Sequence, residues 1–549
     1  MPGGFEPRLF ACYCKKVMIA ALMRQIRKPE FFLGLILAGL ILFLYGLFLV
    51  HRIDLTTADL GRHLQNGRMI LENRALWSAN FYSYTAPDYP VMNHHWLGGL
   101  VFFLIWRLAG FNGLHLGFIA LSLAALFIFM RIAARQAGPG PAALAAVAAL
   151  PLLAERTEIR PEVFTYLFAG IFFWILLRYQ RLGNWRILLA LPILEALWVN
   201  MHIYFFLGPA LIGVFLVGAL LDRSGRDRTL RLAWTLAAAA ATTLLNPSGL
   251  KGAAAPFTIF QNYGYRIAEN QPVWFIETLL RNPNFIIFKI LFGLLAVSFL
   301  ARLLMRRRLR ADVQTQTLNI AAIPYLLLGI MASAMAWLAT RNFALFGLFL
   351  IPLLSLNIAA IFGSWLTVHR RAIAAGAAIF ITVLTIPGLF GQWQKYFPYW
   401  KEAGLGLEAD NGRAAEFFRG ENLKGPIFNN YDIGGYLIWH LFPQERVFTD
   451  NRPEAYPAGF FNDIYVPMQE TDEVWRREME RWRFNAVFFS HRDMTQWGQQ
   501  FLIARIKDSQ WAPVFADRYA IIFLKRNEEN RPIIERLEIP QSAFRIVKR

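Results

Sequence analysis

The sequence predicts a polytopic α-helical membrane protein of about eleven transmembrane helices, followed by a C-terminal extracytoplasmic α/β domain. Three observations support this fold class. Of the 549 residues, 56% are hydrophobic and the mean hydropathy is +0.37, more apolar surface than a soluble globular protein can bury. The apolar residues form runs separated by short basic clusters. After Trp393 the composition becomes polar and no further apolar run follows.

The basic residues indicate the membrane topology. Lys and Arg number 56 against 37 Asp and Glu, a net charge of +19. Because this excess lies in clusters between apolar runs, we interpret it as topology determinants facing anionic lipid, and we expect no nucleic-acid partner. The basic N-terminal tail, residues 1–30, is therefore placed in the cytoplasm. It holds the only two cysteines, Cys12 and Cys14, which excludes a disulfide framework and a four-cysteine zinc site.

The membrane domain is predicted to cover residues 31–392. Its first run, Phe31–Val50, is long enough to span and lacks a small-residue cleavage site, so we expect a retained helix rather than a signal peptide. Placing each dense basic cluster on the cytoplasmic side gives alternating spans. The other ten are Leu114–Met130, Pro141–Ala154, Phe164–Leu177, Ile187–Met201, Tyr204–Leu221, Leu232–Leu245, Phe285–Leu304, Leu318–Leu338, Phe343–Phe362 and Ala372–Phe390.

A long polar insertion, residues 51–96, follows the first span and forms the predicted first outer loop. The next apolar stretch, residues 97–110, is short for a span, contains Arg107 and ends at glycines. We therefore predict that it is an interfacial helix on the outer face rather than a crossing.

Residues 393–549 are predicted to form a soluble periplasmic α/β domain, with a helix at Thr471–Trp482. Its short β-type runs are Gly425–Asn429, Tyr436–Trp439, Arg446–Thr449, Ala486–Ser490 and Tyr519–Leu524.

Polar residues at the ends of the spans all map to the outer face. Each taken singly fits a helix cap at the interface, but charge beside a bilayer is costly, so their convergence predicts a functional site. The candidates are Asp54, Asp59, Arg62 and His63 in the first loop, then His94, His95, Glu158, Arg160, Asn200, His202, Asn246, Glu269 and Arg341.

Two other interpretations of the first loop remain open. Asp59 and His63, at positions i and i+4, also fit a capping and surface pair on a short amphipathic helix. Alternatively, Asp59 with His63, His94, His95 and His202 could hold Zn²⁺ or Mn²⁺, although none of them has the tight spacing of a HExxH motif. A divalent cation, Mn²⁺ or Mg²⁺, is thus a candidate cofactor without an assigned ligand set.

Four segments carry a resemblance to a known family: Asp59-Leu-Gly-Arg-His63-Leu, Phe81-Tyr-Ser-Tyr-Thr85, Asn93-His-His-Trp96-Leu and Arg160-Pro-Glu162. With the order of a single span, an acidic outer loop, an interfacial helix and further spans, the chain resembles the GT-C superfamily of polyprenyl-phosphate-sugar-dependent glycosyltransferases. It is most similar to bacterial members of the protein mannosyltransferase and lipid A aminoarabinose transferase type. The architectural match covers most of residues 31–392.

The resemblance implies an inner-membrane enzyme that transfers a sugar from a polyprenyl-phosphate donor to a glycan, lipid or protein acceptor. By this resemblance the general base is the acidic residue of the first loop. In this sequence that role falls to Asp59, with Asp54 as the rival. Arginines such as Arg160 and Arg341 could clamp the donor phosphate. The run Asn429–Tyr436 is similar to the acceptor-binding WWDYG element of oligosaccharyltransferases, but its tryptophans are absent. Tyr431 and Asp432 are therefore acceptor-side candidates, against the alternative of a simple strand and Gly-Gly turn.

Two other functions are weighed against this one. A lipid or glycan transporter should show inverted repeats and spans broken near the midplane, whereas the polar residues here lie at the outer ends. A polysaccharide polymerase or ligase would instead use arginine and histidine, which His94, His95 and Arg341 supply.

Overall fold

The computed structural model describes residues 29–57, 59–73, 78–222, 225–258, 263–305, 322–395, 397 and 403–545. Residues 1–28 of the basic tail, with Cys12 and Cys14, lie outside the described part, as do residues 318–321 of one predicted span. The chain divides into two compact units. The first contains residues 1–49, 123–157 and 272–401, and the second contains residues 50–122, 158–271 and 402–549.

Helices dominate both units. Those before residue 400 are α1 (Pro29–Leu49), α2 (Leu60–Asn73), α3 (Trp96–Ala137), α4 (Pro139–Ala154), α5 (Glu162–Leu182), α6 (Ala190–Met201), α7 (Leu207–Leu221), α8 (Arg226–Thr242), α9 (Gly249–Thr258), α10 (Val273–Ile276), α11 (Pro283–Leu304), α12 (Ala322–Leu338) and α13 (Phe343–Leu389). After them come α14 (Arg413–Gly420), α15 (Gly434–Leu441), α16 (Pro467–Glu470), α17 (Asp472–Trp482), α18 (Gln496–Lys507) and α19 (Arg531–Leu537).

The apolar helices follow the predicted spans. Within the described residues, six helical segments are long and apolar enough to cross a membrane, and α4 and residues 323–338 of α12 are shorter apolar helices. The fold is therefore that of a chain with several apolar helices, as predicted, whereas the count of eleven spans stays a prediction. At Gly110 the backbone of α3 leaves the helical region, with φ at 62°. This kink coincides with the end of the predicted interfacial helix, whose depth in the membrane stays a prediction.

The two last predicted spans, Phe343–Phe362 and Ala372–Phe390, are continuous in the structure. Residues 363–371 between them are helical, and all belong to α13. Within α13 the backbone departs from helical geometry at Phe362, with φ −115° and ψ 18°, where the first of the two predicted spans ends. No proline interrupts residues 362–372, so the helix can continue through the segment.

The first unit is built around α13, which packs against α1, α4, α11 and α12. Close approach to α4 depends on small residues. A Cβ atom at Gly347 would lie 2.6 Å from a Leu153 methyl carbon, so a larger residue there would require the Leu153 side chain to move.

The second unit contains a four-stranded sheet in the order β1 (Ile427–Asn429), β2 (Ala486–Phe489), β4 (Ile521–Lys525), β3 (Trp511–Ala516). Strands β1 and β2 are parallel, and the other two pairs are antiparallel. The small sheet domain was predicted, but two of its runs were wrong. Residues 436–439 lie in α15, and within residues 446–449 only Val447 pairs, in an isolated bridge with Ser83. Strand β3 was missed.

The first outer loop packs directly on the C-terminal segment inside this second unit. The backbone amide of Val447 donates to the carbonyl of Tyr82 (3.0 Å), and the Asn80 side chain donates to the Ala455 carbonyl (3.0 Å). The loop and the residues after 402 therefore share one compact body, which positions the side chains described next.

Candidate functional site

Helix α2 begins directly after Asp59 and packs closely on neighbouring helices. Two glycines on its inner face allow this packing. A Cβ at Gly61 would lie 2.5 Å from the Gly435 carbonyl oxygen, and one at Gly67 would lie 2.5 Å from that of Gly99. The helix therefore lies against α15 and α3 at backbone distance, and its polar residues Arg62 and His63 become buried.

Asp59 is the centre of a charged cluster. Its Oδ2 atom lies 3.0 Å from Arg62 Nη2 and 3.2 Å from His63 Nε2, and its Oδ1 atom lies 4.0 Å from Arg160 Nε. Burial alone would raise the pKa of the Asp59 carboxyl, but the interaction with His63 and the attraction of Arg160 and Arg62 outweigh it and hold that pKa well below its ordinary value. Asp59 is therefore a carboxylate at neutral pH.

Three polar atoms of this cluster lack hydrogen bonds. Asp59 Oδ1, Arg62 Nε and His63 Nδ1 are buried and have no hydrogen-bond partner in the described part of the chain. A buried polar group without a partner costs about 1–3 kcal/mol, so three of them within five residues indicate a place where a ligand completes the bonding.

Arg160 extends the cluster to two more acidic residues predicted for the site. Its Nη2 atom lies 2.7 Å from Glu158 Oε2, and its Nη1 atom lies 3.0 Å from Glu269 Oε1. Arg160 thus brings Glu158 and Glu269 together with Asp59, while the role of these residues in a site stays a prediction. Arg160 is held between carboxylates, and a phosphate would have to compete with them.

Four histidines lie side by side near Asp59. The ring centroids are 5.5 Å apart for His63 and His95, 5.1 Å for His95 and His202, and 6.4 Å for His94 and His95. Burial lowers the pKa of His63, His94 and His95, that of His94 to about 4. These rings are therefore neutral at pH 7 and can donate one hydrogen bond and accept another.

The residues around Asp59 do not fit a metal ion. Across the described ranges, no group of three or more His, Cys, Asp or Glu side chains is arranged to hold one. Asp59 is occupied by Arg62 and faces Arg160, and the charges of these two arginines would repel a cation.

Asp54, the rival for the catalytic base, is fully engaged elsewhere. Its Oδ1 atom accepts hydrogen bonds from Thr56 and from Asn411 Nδ2 (3.0 Å), and its Oδ2 atom pairs with Arg492 Nη1 at 2.6 Å. The side chain is 4% exposed. Asp54 thus links the start of the outer loop to the C-terminal segment, and nothing in its surroundings leaves an oxygen for a substrate.

The remaining predicted residues separate into three groups. Asn200 accepts a hydrogen bond from Trp96 Nε1 (2.7 Å) and donates to the Leu245 carbonyl, and Asn246 closes its own turn by accepting from the Ser248 amide. Tyr431 is buried, with its ring stacked on Tyr265 at 4.3 Å. Arg341 belongs to the other compact unit, so its part in this site stays a prediction.

A cavity of about 590 Å³, including its open mouth, lies beside the Asp59 cluster. Its lining includes Arg62, His94 and His95, which were predicted, and Arg452 and Glu454, which were missed. Arg452 is buried and paired with Asp450 at 2.6 Å, and it donates to Asn80 of the outer loop. No local sequence pattern indicates that Arg452 is a site residue. It reaches the cavity only because the C-terminal segment packs on the first outer loop.

Asp432 is half-buried near Arg160. Burial and repulsion from Asp493 raise its pKa to about 7, against the attraction of Arg160. A carboxyl whose pKa is about 4 when unfolded and about 7 when folded destabilises the fold increasingly as pH rises between these values. We expect Asp432→Asn to raise the thermal unfolding midpoint clearly at pH 8 and much less at pH 5. Glu473→Gln, at an exposed carboxylate of α17, is the control; an equal gain at both pH values would contradict this reasoning.

Comparison with solved structures identifies the fold. The archaeal oligosaccharyltransferase AglB from Archaeoglobus fulgidus, in complex with an inhibitory peptide and a dolichol-phosphate, aligns over 90% of this chain and 74% of its own, with a TM-score of 0.57 and 12% identity. The chain shares its fold. The same archaeal enzyme tethered to an acceptor peptide aligns over 91% of this chain and 74% of its own, with a TM-score of 0.54 and 12% identity.

At 12% identity this likeness establishes the fold and does not carry over the activity. The shared fold agrees with the predicted architecture of several long apolar helices followed by a small C-terminal sheet domain. A third structure of that enzyme, with Zn and sulfate, has a TM-score of 0.52 at 12% identity and covers 83% of this chain and 68% of its own. No family model matches the chain, and no curated protein matches its sequence.

Proposed function

We propose that the protein is an integral-membrane glycosyltransferase that transfers a sugar from a polyprenyl-phosphate donor to an acceptor on the periplasmic face of a bacterial inner membrane. The observation that carries this proposal is the group of unpartnered buried atoms at Asp59, Arg62 and His63, beside a cavity with two guanidinium side chains. A carboxylate next to guanidinium groups suits a reaction that removes a proton from an acceptor and releases a phosphate.

In the proposed reaction Asp59 is the general base. The acceptor oxygen forms a bond to the anomeric carbon while the bond between that carbon and the phosphate oxygen breaks. The acceptor proton moves to Asp59, and the carrier leaves as a polyprenyl phosphate. Because one base activates one direct attack, the configuration at the anomeric carbon inverts. The oligosaccharyltransferase with the same fold was captured with a dolichol-phosphate, which supports a lipid-phosphate donor.

Arg62 and Arg452 are proposed to bind the donor phosphate. Both are buried and line the cavity, and Arg62 Nε has no hydrogen-bond partner in the described part of the chain. Guanidinium groups match the planar, bidentate geometry that phosphate oxygens offer, and desolvation strengthens the attraction. The neutral rings of His94 and His95 add hydrogen bonds without further charge.

Binding of undecaprenyl phosphate to the full chain in nanodiscs tests this assignment. We expect Arg62→Gln to weaken binding roughly 10- to 100-fold, since a hydrogen bond to a charged group contributes about 1.5–3 kcal/mol. Arg68→Gln is the matched control, because Arg68 lies on the same helix, is 48% exposed and pairs with Glu72. Native mass spectrometry measures both. Equal affinity in wild type and Arg62→Gln would refute the phosphate assignment.

The orientation is part of the same proposal. The N-terminal tail is placed in the cytoplasm and the residues after Trp393 in the periplasm, because the dense basic clusters fall on one side of the predicted spans. We expect a phosphatase reporter fused after Arg549 to be active and a cytoplasmic fluorescent reporter to be inactive there. The opposite pair of signals would reverse the topology and remove the site from the periplasmic face.

A further inference from the structure

A second cavity adjoins the segment Val91–His94. It measures about 550 Å³, including its open mouth, and this segment lines both cavities. Its polar lining comes from the outer loop and from the turn before α9: Ser78, Asn93, His94, Trp96, Asn246 and Ser248.

The two cavities differ in charge. The first is lined by Arg62, Arg452 and Glu454, whereas the described residues that line the second include no acidic or basic side chain apart from the neutral imidazole of His94. An anionic donor phosphate is therefore favoured in the first cavity and gains nothing from the second. The chemistry of the second suits an uncharged ligand.

Two polar side chains that line the second cavity, His94 and Asn93, have hydrogen-bonding groups that are not used by other described residues. His94 makes no hydrogen bond in the described part of the chain, and Asn93 uses only its Oδ1 atom, which accepts from the His95 amide at 3.2 Å. An amide and a neutral imidazole can each donate and accept, which is what neighbouring hydroxyl groups require. An isoprenoid tail in the same place would leave these groups unsatisfied, which costs free energy.

We propose that the second cavity is the acceptor site and that the acceptor is an uncharged saccharide, whose reacting hydroxyl approaches the donor past His94. This inference rests on the proposed transferase function and deepens it by naming the acceptor class. The Trp96 indole lines the same cavity and adds an apolar face beside these polar groups. His94, which lines both cavities, positions the hydroxyl between acceptor and donor.

A pair of tryptophan substitutions tests the site. Ser248 is exposed at the mouth of the cavity and uses its backbone amide, which a substitution retains, to bond Asn246. Ser248→Trp should fill the mouth. Leu250→Trp is the matched control, because Leu250 lies two residues away, is 75% exposed and is absent from both linings.

Saturation-transfer NMR on the full chain in nanodiscs, with N-acetylglucosamine, galactose, glucuronate and farnesol as probes, gives the readout. We expect a signal from a neutral sugar in wild type and Leu250→Trp, reduced at least fivefold in Ser248→Trp, with undecaprenyl phosphate binding unchanged in all three. A signal confined to glucuronate or farnesol, or a sugar signal that Ser248→Trp leaves intact, would overturn the acceptor assignment alone. If the wild-type protein did not bind undecaprenyl phosphate, the proposed transferase function itself would be refuted.

Discussion

Asp59→Asn is expected to reduce sugar transfer by about 10²- to 10⁴-fold, the range that a general base contributes. The amide has nearly the same shape but cannot accept the acceptor proton. Arg62 and Arg160 would keep their positions, since both bind other groups of the site or line its cavity. Undecaprenyl phosphate binding should therefore remain within a few-fold of wild type or increase, because one negative charge has been removed beside the phosphate. Single-turnover transfer and lipid binding are measured on the same preparation.

The contrasting variant is Asp54→Asn. Asp54 accepts from Thr56 and Asn411 and pairs with Arg492, so its loss should lower the thermal midpoint while the folded fraction retains transfer. The two variants are thus distinguished by their transfer rate and their thermal midpoint. If Asp59→Asn transferred sugar at the wild-type rate, Asp59 would not be the general base. If Asp54→Asn were stable but lost transfer, the general base would be Asp54.

The sequence was sufficient to predict those parts of the site that depend on local spacing. Asp59, Arg62 and His63 occupy positions i, i+3 and i+4, so a single helix turn brings their charges together. Arg160 and Glu269 could be added because the predicted topology puts them on the same face as Asp59. These inferences need only helix periodicity and the rule that basic clusters remain on one side of the membrane.

The parts that sequence could not supply depend on long-range packing. Arg452 reaches the first cavity through its contact with Asn80, more than 370 positions earlier in the chain. Asp54 is the rival base in sequence terms, and only its contacts with the distant Arg492 and Asn411 show that both of its oxygens are occupied. Residues 436–439 have β-type composition, yet they form part of α15, which packs on α2 at backbone distance through Gly435 and Gly61. The strand propensity of a short segment is a weak guide to its secondary structure where tertiary contacts determine that structure.

The ion pair between Asp450 and Arg452 is expected to produce the largest stability effect in the second unit. Asp450 is fully buried, and Arg452 binds both of its oxygens, at 2.7 Å and 2.6 Å, while donating to Asn80 of the outer loop. The guanidinium also lies 5.5 Å from the ring centroid of Tyr82. Removing one member of such a pair leaves the other charge buried and uncompensated, which costs about 3–5 kcal/mol.

We therefore expect Asp450→Asn to lower the thermal unfolding midpoint strongly and to loosen the outer loop, detected as faster amide hydrogen exchange at residues 78–85. Asp450→Asn combined with Arg452→Met removes both charges and should recover most of the stability, because the desolvation cost of the charges disappears with them. The double variant should still lose undecaprenyl phosphate affinity, since the cavity then retains only Arg62 as a guanidinium. Recovery of both stability and affinity would show that Arg452 serves only to fix the loop, whereas recovery of stability alone separates its structural role from phosphate binding.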